Sequence, residues 1–366
     1  MSDEFRSRFP VGMTMSFAQY MDVALYDEEV GFYATTGRAG RRGDFLTSPE
    51  VGPLFGALIA RRLDEVWRAL GSPEPFVVVE FGAGPGTLAR SIALAAPACS
   101  SVLRYVMVER SARQRVLHAE HLEGWVGDLD ATRLDEFVHD VGPGPRFASS
   151  ASTPSGYCGL ALANELLDNL AFDIVRHDGA GTFERLDVHH GVDGLEFVSV
   201  ATDVPDVLAV ILRATPAGEW MPLQERAAEW LREVISGLDC GVVLVVDYGA
   251  PTAELAARPQ MGWLRTFRGQ KRGGHPLDAP GTCDITADVA IDQLATVVPP
   301  SLITTQRDLL QRLGIDELVE EGRRVWTEKA SAPDVDALRA RSRIGEAEAL
   351  LEPGGLGDFF VMEWEI

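Results

Sequence analysis

Polar residues interrupt an apolar run in the segment "ALANELLDNLAF", residues 161–172. Asn164 and Glu165 follow the run directly, and Asp168 comes three residues later. Charged side chains are costly to bury unless they are paired, so these residues form either a solvated helix start or a prepared site. In a helix, Asn164 would be the N-cap, and Glu165 and Asp168 would share one face. Two carboxylates on one face suit a guanidinium group, which is planar and stays charged.

A second candidate for chemistry is the glycine-rich stretch "VVVEFGAGPGTL", residues 77–88, which contains Gly82, Gly84 and Gly86. The dinucleotide fingerprint needs a glycine at position 87, which is Thr87 here, and the G-K-[ST] ending of a phosphate-binding loop is missing. Glu80 lies two residues before the first glycine. A carboxylate at that point suits a cationic ligand, and S-adenosylmethionine (SAM) carries both an ammonium and a sulfonium. The alternative is a tight turn that binds nothing.

Two further acids lie where neighbouring strands should end. Glu109 follows the apolar run after the glycine loop, at the distance where such sheets place a carboxylate on ribose hydroxyls. Asp128 follows Gly127 at the predicted end of a third strand, where it could bind the adenine amino group of SAM. Ligands of doubly wound sheets bind at the carboxyl ends of the strands, so all these residues predict one cofactor site.

Alternating strand and helix patterns must position these residues. Buried strands are predicted at "FVVVEFG", "LRYVMVER", "EGWVGDLD", "YCGLALANE" and "GVVLVVDYG", with a last strand at "DFFVMEWEI". The helix "TLARSIALAA" follows the glycine loop. This alternation predicts an α/β fold with a doubly wound, Rossmann-like sheet. Residues 1–75 would be an N-terminal helical cap and 76–366 the main domain, with an inserted α+β segment at about 172–238 and a loop-rich lid at about 250–285.

The predicted cap contains two further candidate groups. Ser48, followed by Pro49, reads as the N-cap of a helix, and Thr47, Ser48 and the free N–H groups there could bind the methionine carboxylate of SAM. Tyr20 could close over the methyl acceptor, although packing is the alternative for any cap tyrosine. Outside the cap, Asp247 and Tyr248 end the fifth strand and are further candidates.

Composition excludes several classes of protein. The net charge of −22, from 55 acidic and 33 basic residues, argues against nucleic acid as a partner, because phosphate backbones require clustered cations. Four scattered cysteines without a C-x-x-C pair predict reduced thiols and, with the histidines, no metal site. No secretory signal is recognisable, and no apolar run approaches the roughly 20 residues that span a bilayer. A cytoplasmic protein without a membrane partner is therefore expected.

The chain also resembles a known family over nearly its whole length. The matching segments are "YMDVALYDEEVGFY", "GDFLTSPEVGPLFG", "VEFGAGPGTLARSI", "YVMVERS", "ANELLDNLAFD", "VVDYG", "DAPGTCDIT", "TTQRDLLQRLGI" and "LGDFFVMEW". They resemble the MidA-like SAM-dependent methyltransferases, a group that includes a mitochondrial complex I assembly factor with protein-arginine methyltransferase activity. The chain departs from the family pattern at Ala171, where a proline is usual, and in "DITADVAIDQL", where a histidine and an aromatic residue usually follow "DIT".

The resemblance implies a class I methyltransferase that uses SAM and releases S-adenosylhomocysteine (SAH). We expect transfer to a protein side chain, with an arginine nitrogen as the preferred acceptor and with Asn164, Glu165, Asp168 and Tyr20 as the catalytic candidates. Two alternatives stay open. One is a small aromatic or amine metabolite as acceptor, and the other is a SAM-binding assembly factor for a respiratory complex. The oligomeric state is also open, with a homodimer as one alternative.

Overall fold

The computed structural model of the chain describes residues 2–35, 47–268 and 271–366. Within these ranges, strands and helices are numbered along the sequence. The strands are β1 Thr14–Ser16, β2 Phe76–Phe81, β3 Leu103–Val108, β4 Trp125–Leu129, β5 Arg146–Ser150, β6 Tyr157–Asn164, β7 Asp173–His177, β8 Phe183–Gly191, β9 Gly194–Thr202, β10 Met221–Leu223, β11 Leu238–Asp247, β12 Gly249–Ala250, β13 Leu264–Arg268, β14 Lys271–Arg272, β15 Asp284–Ala287, β16 Val289–Ala290, β17 Leu302–Thr305 and β18 Phe360–Glu365. The α-helices are α1 Asp3–Arg8, α2 Phe17–Tyr26, α3 Phe32–Thr35, α4 Ser48–Val51, α5 Pro53–Ala69, α6 Thr87–Ala95, α7 Ala112–Arg115, α8 Ala131–Val138, α9 Asp206–Arg213, α10 Glu225–Gly237, α11 Thr252–Ala256, α12 Gln260–Trp263, α13 Ile291–Leu294, α14 Gln306–Arg312, α15 Ile315–Lys329 and α16 Val335–Leu350.

The chain divides into two compact units, each built from three segments. The parallel-sheet unit comprises Leu46–Glu165, Val234–Asp247 and Pro300–Ile366. The antiparallel-sheet unit comprises Met1–Phe45, Leu166–Glu233 and Tyr248–Pro299. These boundaries differ from the predicted one at residue 75, because the apolar side of α5 belongs to the core of the parallel-sheet unit.

The parallel-sheet unit contains an eight-stranded sheet in the order β17-β18-β11-β6-β2-β3-β5-β4. In this order, neighbouring strands from β11 through β6, β2, β3 and β5 to β4 are parallel to one another. At the other edge, β18 pairs antiparallel with both β11 and β17. All six residues of β2, including Glu80, are buried, as expected for a parallel strand in a sheet that is covered on both faces. The predicted doubly wound α/β fold is therefore confirmed. The short strands β5 and β17 were not predicted, and β5 separates β3 from β4.

The antiparallel-sheet unit contains a five-stranded sheet in which β1, β8, β7 and β10 follow one another and β9 pairs with β8. The inserted α+β segment expected at about 172–238 contains the strands β7 to β10 and the helices α9 and α10. Ser16 caps α2, since its side chain accepts from the Gln19 N–H and the Gln19 side chain accepts from the Ser16 N–H. The segment at 250–285 is not a plain loop, because β13 pairs with both β14 and β15 there.

Two of the four cysteines contradict the prediction of reduced thiols. Cys158 on β6 and Cys240 on β11 form a disulfide, so the prediction of reduced thiols is wrong for this pair. The parallel register sets the two residues side by side, with a Cα–Cα distance of 4.7 Å. Cys99 and Cys283 are buried free thiols.

No helix among the described residues is long and apolar enough to cross a membrane.

Candidate functional site

The glycine loop follows β2 at the carboxyl end of the parallel sheet. Its glycines all have left-handed backbones, with φ of 66° at Gly82, 52° at Gly84 and 78° at Gly86. Residues with a Cβ rarely adopt this conformation, which explains the G-x-G-x-G spacing. The N–H groups of Gly82 and Ala83 donate to the Val108 carbonyl at 2.9 and 3.3 Å, so the loop turns over the end of β3.

Glu80 lies near the end of β2, two residues before the first glycine of the loop, and only 5% of its surface is exposed. Burial raises the pKa of its carboxyl to about 8, although a hydrogen bond from the Tyr105 hydroxyl at 2.8 Å opposes the rise. A cation near a buried carboxyl favours the charged form and offsets its desolvation. The site therefore suits the cationic ligand predicted from the sequence. Tyr105 was not predicted, because its partner lies on a neighbouring strand.

Glu109 follows β3 and holds two backbone segments together. Its carboxylate accepts from the Gly84 N–H at 3.0 Å and from the Ser111 N–H at 2.7 Å, on different oxygens. Burial raises the pKa of this carboxyl, and the two backbone donors oppose that rise. A carboxylate has about four acceptor positions, so the side chain keeps the capacity to accept hydroxyl groups such as those of a ribose.

Asp128 lies in a different setting from Glu109. It is an exposed residue of the edge strand β4, and its carboxylate pairs with the Arg115 guanidinium at 3.0 Å. Because β5 lies between β3 and β4, the ends of β3 and β4 are not neighbours in the sheet, contrary to the expectation of consecutive strands. The adenine contact assigned to Asp128 stays a prediction.

The N-terminus of α4 is occupied by groups of the chain itself. Thr47, not Ser48, is at the N-cap position, and the helix ends after four residues at Gly52. The Ser48 N–H donates to Glu165 Oε1 at 2.9 Å, and the Ser48 hydroxyl donates to Gln306 Oε1 at 2.8 Å. The expectation of free N–H groups is therefore wrong at Ser48, where a carboxylate of the chain already accepts.

The segment after β6 does not form the helix expected from the sequence. Asn164 is the last residue of β6, and Glu165 has a left-handed φ of 51°. A 3-10 turn then covers only Leu167–Asn169. Asn164 is therefore no helix cap, and Glu165 and Asp168 do not share a helix face. The Asn164 amide donates to Glu165 Oε1 at 3.1 Å. The same oxygen accepts from the Ser48 N–H, so Asn164 helps to hold the carboxylate that Ser48 contacts.

Asp168 belongs to a buried polar cluster in the antiparallel-sheet unit. Only 5% of its surface is exposed, and its Oδ2 accepts from the hydroxyls of Tyr248 and Thr286. Burial raises the pKa of Asp168, and these hydrogen bonds oppose the rise. The guanidinium of Arg265 lies 4.9 Å from the centre of the Tyr248 ring. The structure thus brings Tyr248, one of the strand-end candidates, together with Asp168.

A second aspartate extends this cluster. Asp284 on β15 accepts from the Tyr33 hydroxyl at 3.0 Å and from the Asn169 amide at 3.1 Å. Burial, followed by the charge of Asp168, raises the pKa of Asp284 to about 7. The sequence reasoning missed Asp284, although it lies in "DAPGTCDIT", one of the segments that resemble the family.

Tyr20 is fully buried in the apolar core of the antiparallel-sheet unit. Its hydroxyl donates to the Pro276 carbonyl at 2.7 Å, and its ring packs against Phe5 and Phe17. This geometry favours the packing alternative over closure on an acceptor. Among the described residues, no group of three or more His, Cys, Asp or Glu is placed to bind a metal ion.

A family model described as "Putative S-adenosyl-L-methionine-dependent methyltransferase" matches residues 58–304, about two thirds of the chain. The chain belongs to this family. Its fold and glycine loop agree with that membership, and SAM is its cofactor. The predicted family resemblance and methyltransferase class are thereby confirmed.

Named relatives and solved structures agree with this assignment. The mouse "Protein arginine methyltransferase NDUFAF7, mitochondrial" is 27% identical over 94% of this chain and 79% of its own length. The Drosophila melanogaster homologue of that name is 29% identical over 74% of this chain, which spans only 64% of the fly protein. A COG1565 superfamily member from Burkholderia thailandensis, solved with SAH bound, is 25% identical with a TM-score of 0.77, covering 99% of this chain and 90% of that one.

Proposed function

We propose that this methyltransferase transfers the methyl group of SAM to an arginine side chain of a protein. The observation that carries the proposal is the similarity to relatives named protein arginine methyltransferase, which extends over 94% of the chain in the mouse and human proteins. The proposal names a class of acceptor and leaves the individual protein open.

The geometry of the parallel-sheet unit supports a role in binding SAM. We assign the cofactor to the glycine loop of Gly82, Gly84 and Gly86, with Glu80 as the acid nearest its positive charge and Glu109 on the ribose hydroxyls. Thr47 and Asp128 are kept as contacts for the methionine carboxylate and the adenine, whereas both Ser48 donors are already used. When bound, SAM supplies a methyl group attached to a positively charged sulfur.

The polar cluster of the antiparallel-sheet unit supports recognition of a cationic acceptor. Asp168 and Asp284 are buried carboxyls with raised pKa, and an approaching guanidinium would favour their charged forms. Transfer forms a nitrogen–carbon bond, breaks the sulfur–carbon bond with its electron pair kept on sulfur, and releases one proton from the acceptor nitrogen. A carboxyl whose pKa lies near 7, such as Asp284, is suited to accept that proton near neutral pH.

Labelled methyl transfer tests this proposal. Purified full-length protein is incubated with methyl-labelled SAM and fractionated lysate, and labelled protein bands are hydrolysed to identify the methylated residue. Label in methylarginine is the expected result. Label on another residue, or only in small molecules, contradicts the arginine assignment and supports a different acceptor such as an amine metabolite.

The absence of any transfer, together with retained SAH binding, would favour the alternative of a SAM-binding assembly factor. An inactive variant that still binds its partner protein then separates scaffold from enzyme. The cytoplasmic location also stays a sequence-based prediction, since the named relatives are mitochondrial.

A further inference from the structure

His118 is a fully buried histidine three residues after the end of α7, and both of its ring nitrogens have partners in the parallel-sheet unit. Nε2 lies 2.7 Å from the carbonyl oxygen of Gly84, the middle glycine of the cofactor loop. Nδ1 lies within hydrogen-bond distance of the hydroxyl of Ser149 on β5. The histidine therefore connects the glycine loop to a strand that sequence patterns did not reveal.

The hydrogen-bond network assigns the proton on this ring. A carbonyl oxygen only accepts, so Nε2 carries the hydrogen and donates to Gly84, and in the neutral ring Nδ1 accepts from the Ser149 hydroxyl. Burial lowers the pKa of His118, and the charges of Arg90 and Arg115 act in the same direction, whereas the hydrogen bond to the Gly84 carbonyl opposes the shift. The lowered pKa favours the neutral ring, which carries its hydrogen on Nε2.

Both backbone polar groups of Gly84 are thus held by side chains. Its N–H donates to Glu109, and its carbonyl accepts from His118. The ring also packs against the next glycine of the loop, because a Cβ added at Gly86 would lie 3.2 Å from His118 Cδ2 and 3.1 Å from Met107 Sδ. His118 consequently restrains two of the three glycines, both of which have left-handed backbones.

We propose that His118 is a positioning residue of the cofactor loop, which holds Gly84 in the conformation that binds SAM. This inference rests on the assignment of SAM to that loop. A loop fixed before binding loses less conformational freedom when the ligand binds, so its affinity is higher than that of a mobile loop. In this role His118 acts through Gly84.

Two amide substitutions separate the two bonds of the ring. In His118→Gln the side-chain nitrogen is as many bonds from Cβ as Nε2 and can still donate to Gly84. In His118→Asn the amide reaches only the Ser149 side. With full-length protein, we expect the dissociation constant for SAH, measured by calorimetry, to rise about fivefold to tenfold in H118N, and to stay within about twofold of the wild type in H118Q.

His139→Asn is the matched control, because His139 is an exposed histidine of the same unit, and its affinity for SAH should not change. Equal affinities of H118Q and H118N at equal melting temperatures would overturn the inference. Glu109→Ala separates this failure from failure of the site itself. If E109A weakens SAH binding and H118N does not, the loop binds the cofactor without help from His118. If neither variant weakens binding, the cofactor is not at this loop.

Discussion

The glycine loop and the segment 164–169 both looked like sites in the sequence, but they owe their shapes to different causes. The loop has three glycines with positive φ, and its backbone follows from their spacing. The segment 164–169 is shaped by distant partners, since Ser48 donates to Glu165, and Tyr248 and Thr286 donate to Asp168. A local pattern was therefore sufficient for the first region and misleading for the second.

This difference also separates two proposed roles. The acids around the loop, Glu80 and Glu109, are assigned to the cofactor, whereas Asp168 and Asp284 are assigned to the acceptor. Substitutions in the first group should change the affinity for SAH. Those in the second group should change methyl transfer with little effect on that affinity.

The largest effect is expected for Asp168→Asn. The amide keeps the size of the side chain but removes the charge that would pair with a guanidinium, and a hydrogen bond to a charged group contributes roughly 1.5–3 kcal/mol. Methyl transfer at saturating SAM should fall about a hundredfold, while the dissociation constant for SAH stays within about twofold. Initial rates with labelled SAM and calorimetry with SAH measure the two quantities.

Thr286→Val is the control for Asp168, because it removes one of the donors to the same oxygen and leaves the charge in place. A fall in transfer of only a few fold is expected. If D168N retains most of its activity, Asp168 has a structural role and the acceptor is bound elsewhere.

The next largest effect is expected on SAH affinity, when substitutions of two acids of the parallel-sheet unit are compared. Glu109→Ala removes the acceptor of the Gly84 and Ser111 N–H groups, so SAH affinity should fall about thirtyfold. Asp128→Ala removes an exposed carboxylate paired with Arg115, and an exposed pair contributes roughly 0–1 kcal/mol, so the affinity should change about fivefold at most. A larger loss in D128A than in E109A would reverse the assignment of the two acids.

The same distinction explains what the sequence could predict. Continuous apolar runs identified β2, β3, β6 and β11, and the glycine spacing identified the loop. Strand β5, "RFASS", has no such pattern, so its place between β3 and β4, and with it the partner of His118, were missed. The prediction of a helix after Asn164 was wrong because capping residues in a sequence do not reveal a tertiary partner such as Ser48.

The cluster around Asp168 could not be predicted either. It depends on residues 80 to 118 positions away, which no local pattern connects.

The pH dependence of SAM binding tests the cofactor acids more finely. The pKa of Glu80 is raised to about 8, so near pH 7 the carboxyl is mostly neutral in the free protein, and binding a cation should release its proton. SAM affinity should therefore rise about tenfold between pH 6.5 and 8.5. Glu80→Gln should remove the rise, and it also serves as the control for titration of the ligand itself. An equally steep rise in E80Q would contradict the assignment.

Stability should show the opposite trend in the same window. Because the folded state binds a proton on Glu80 that the unfolded state releases above its ordinary pKa of 4.5, the contribution of this group to the free energy of unfolding is greatest at low pH. It is lost as the pH rises through about 8. E80Q keeps a neutral side chain at every pH, so its melting temperature should match that of the wild type below about pH 4.5 and exceed it by a growing margin as the pH rises to about 8.

The smallest effects are expected for the substitution of two tyrosines of the antiparallel-sheet unit, Tyr20 and Tyr33. Tyr20→Phe removes only the donor to the Pro276 carbonyl, so the free energy of unfolding in urea should fall by about 1 kcal/mol with unchanged methyl transfer. Tyr33→Phe removes a donor to Asp284 whose hydrogen bond holds the pKa of that carboxyl down. In Y33F the pH at which transfer is half-maximal should therefore move upwards, because Asp284 would stay protonated to a higher pH. If Y20F shifts the pH profile as much as Y33F does, Tyr20 is more than a packing residue, and the division between core and acceptor cluster in this unit is wrong.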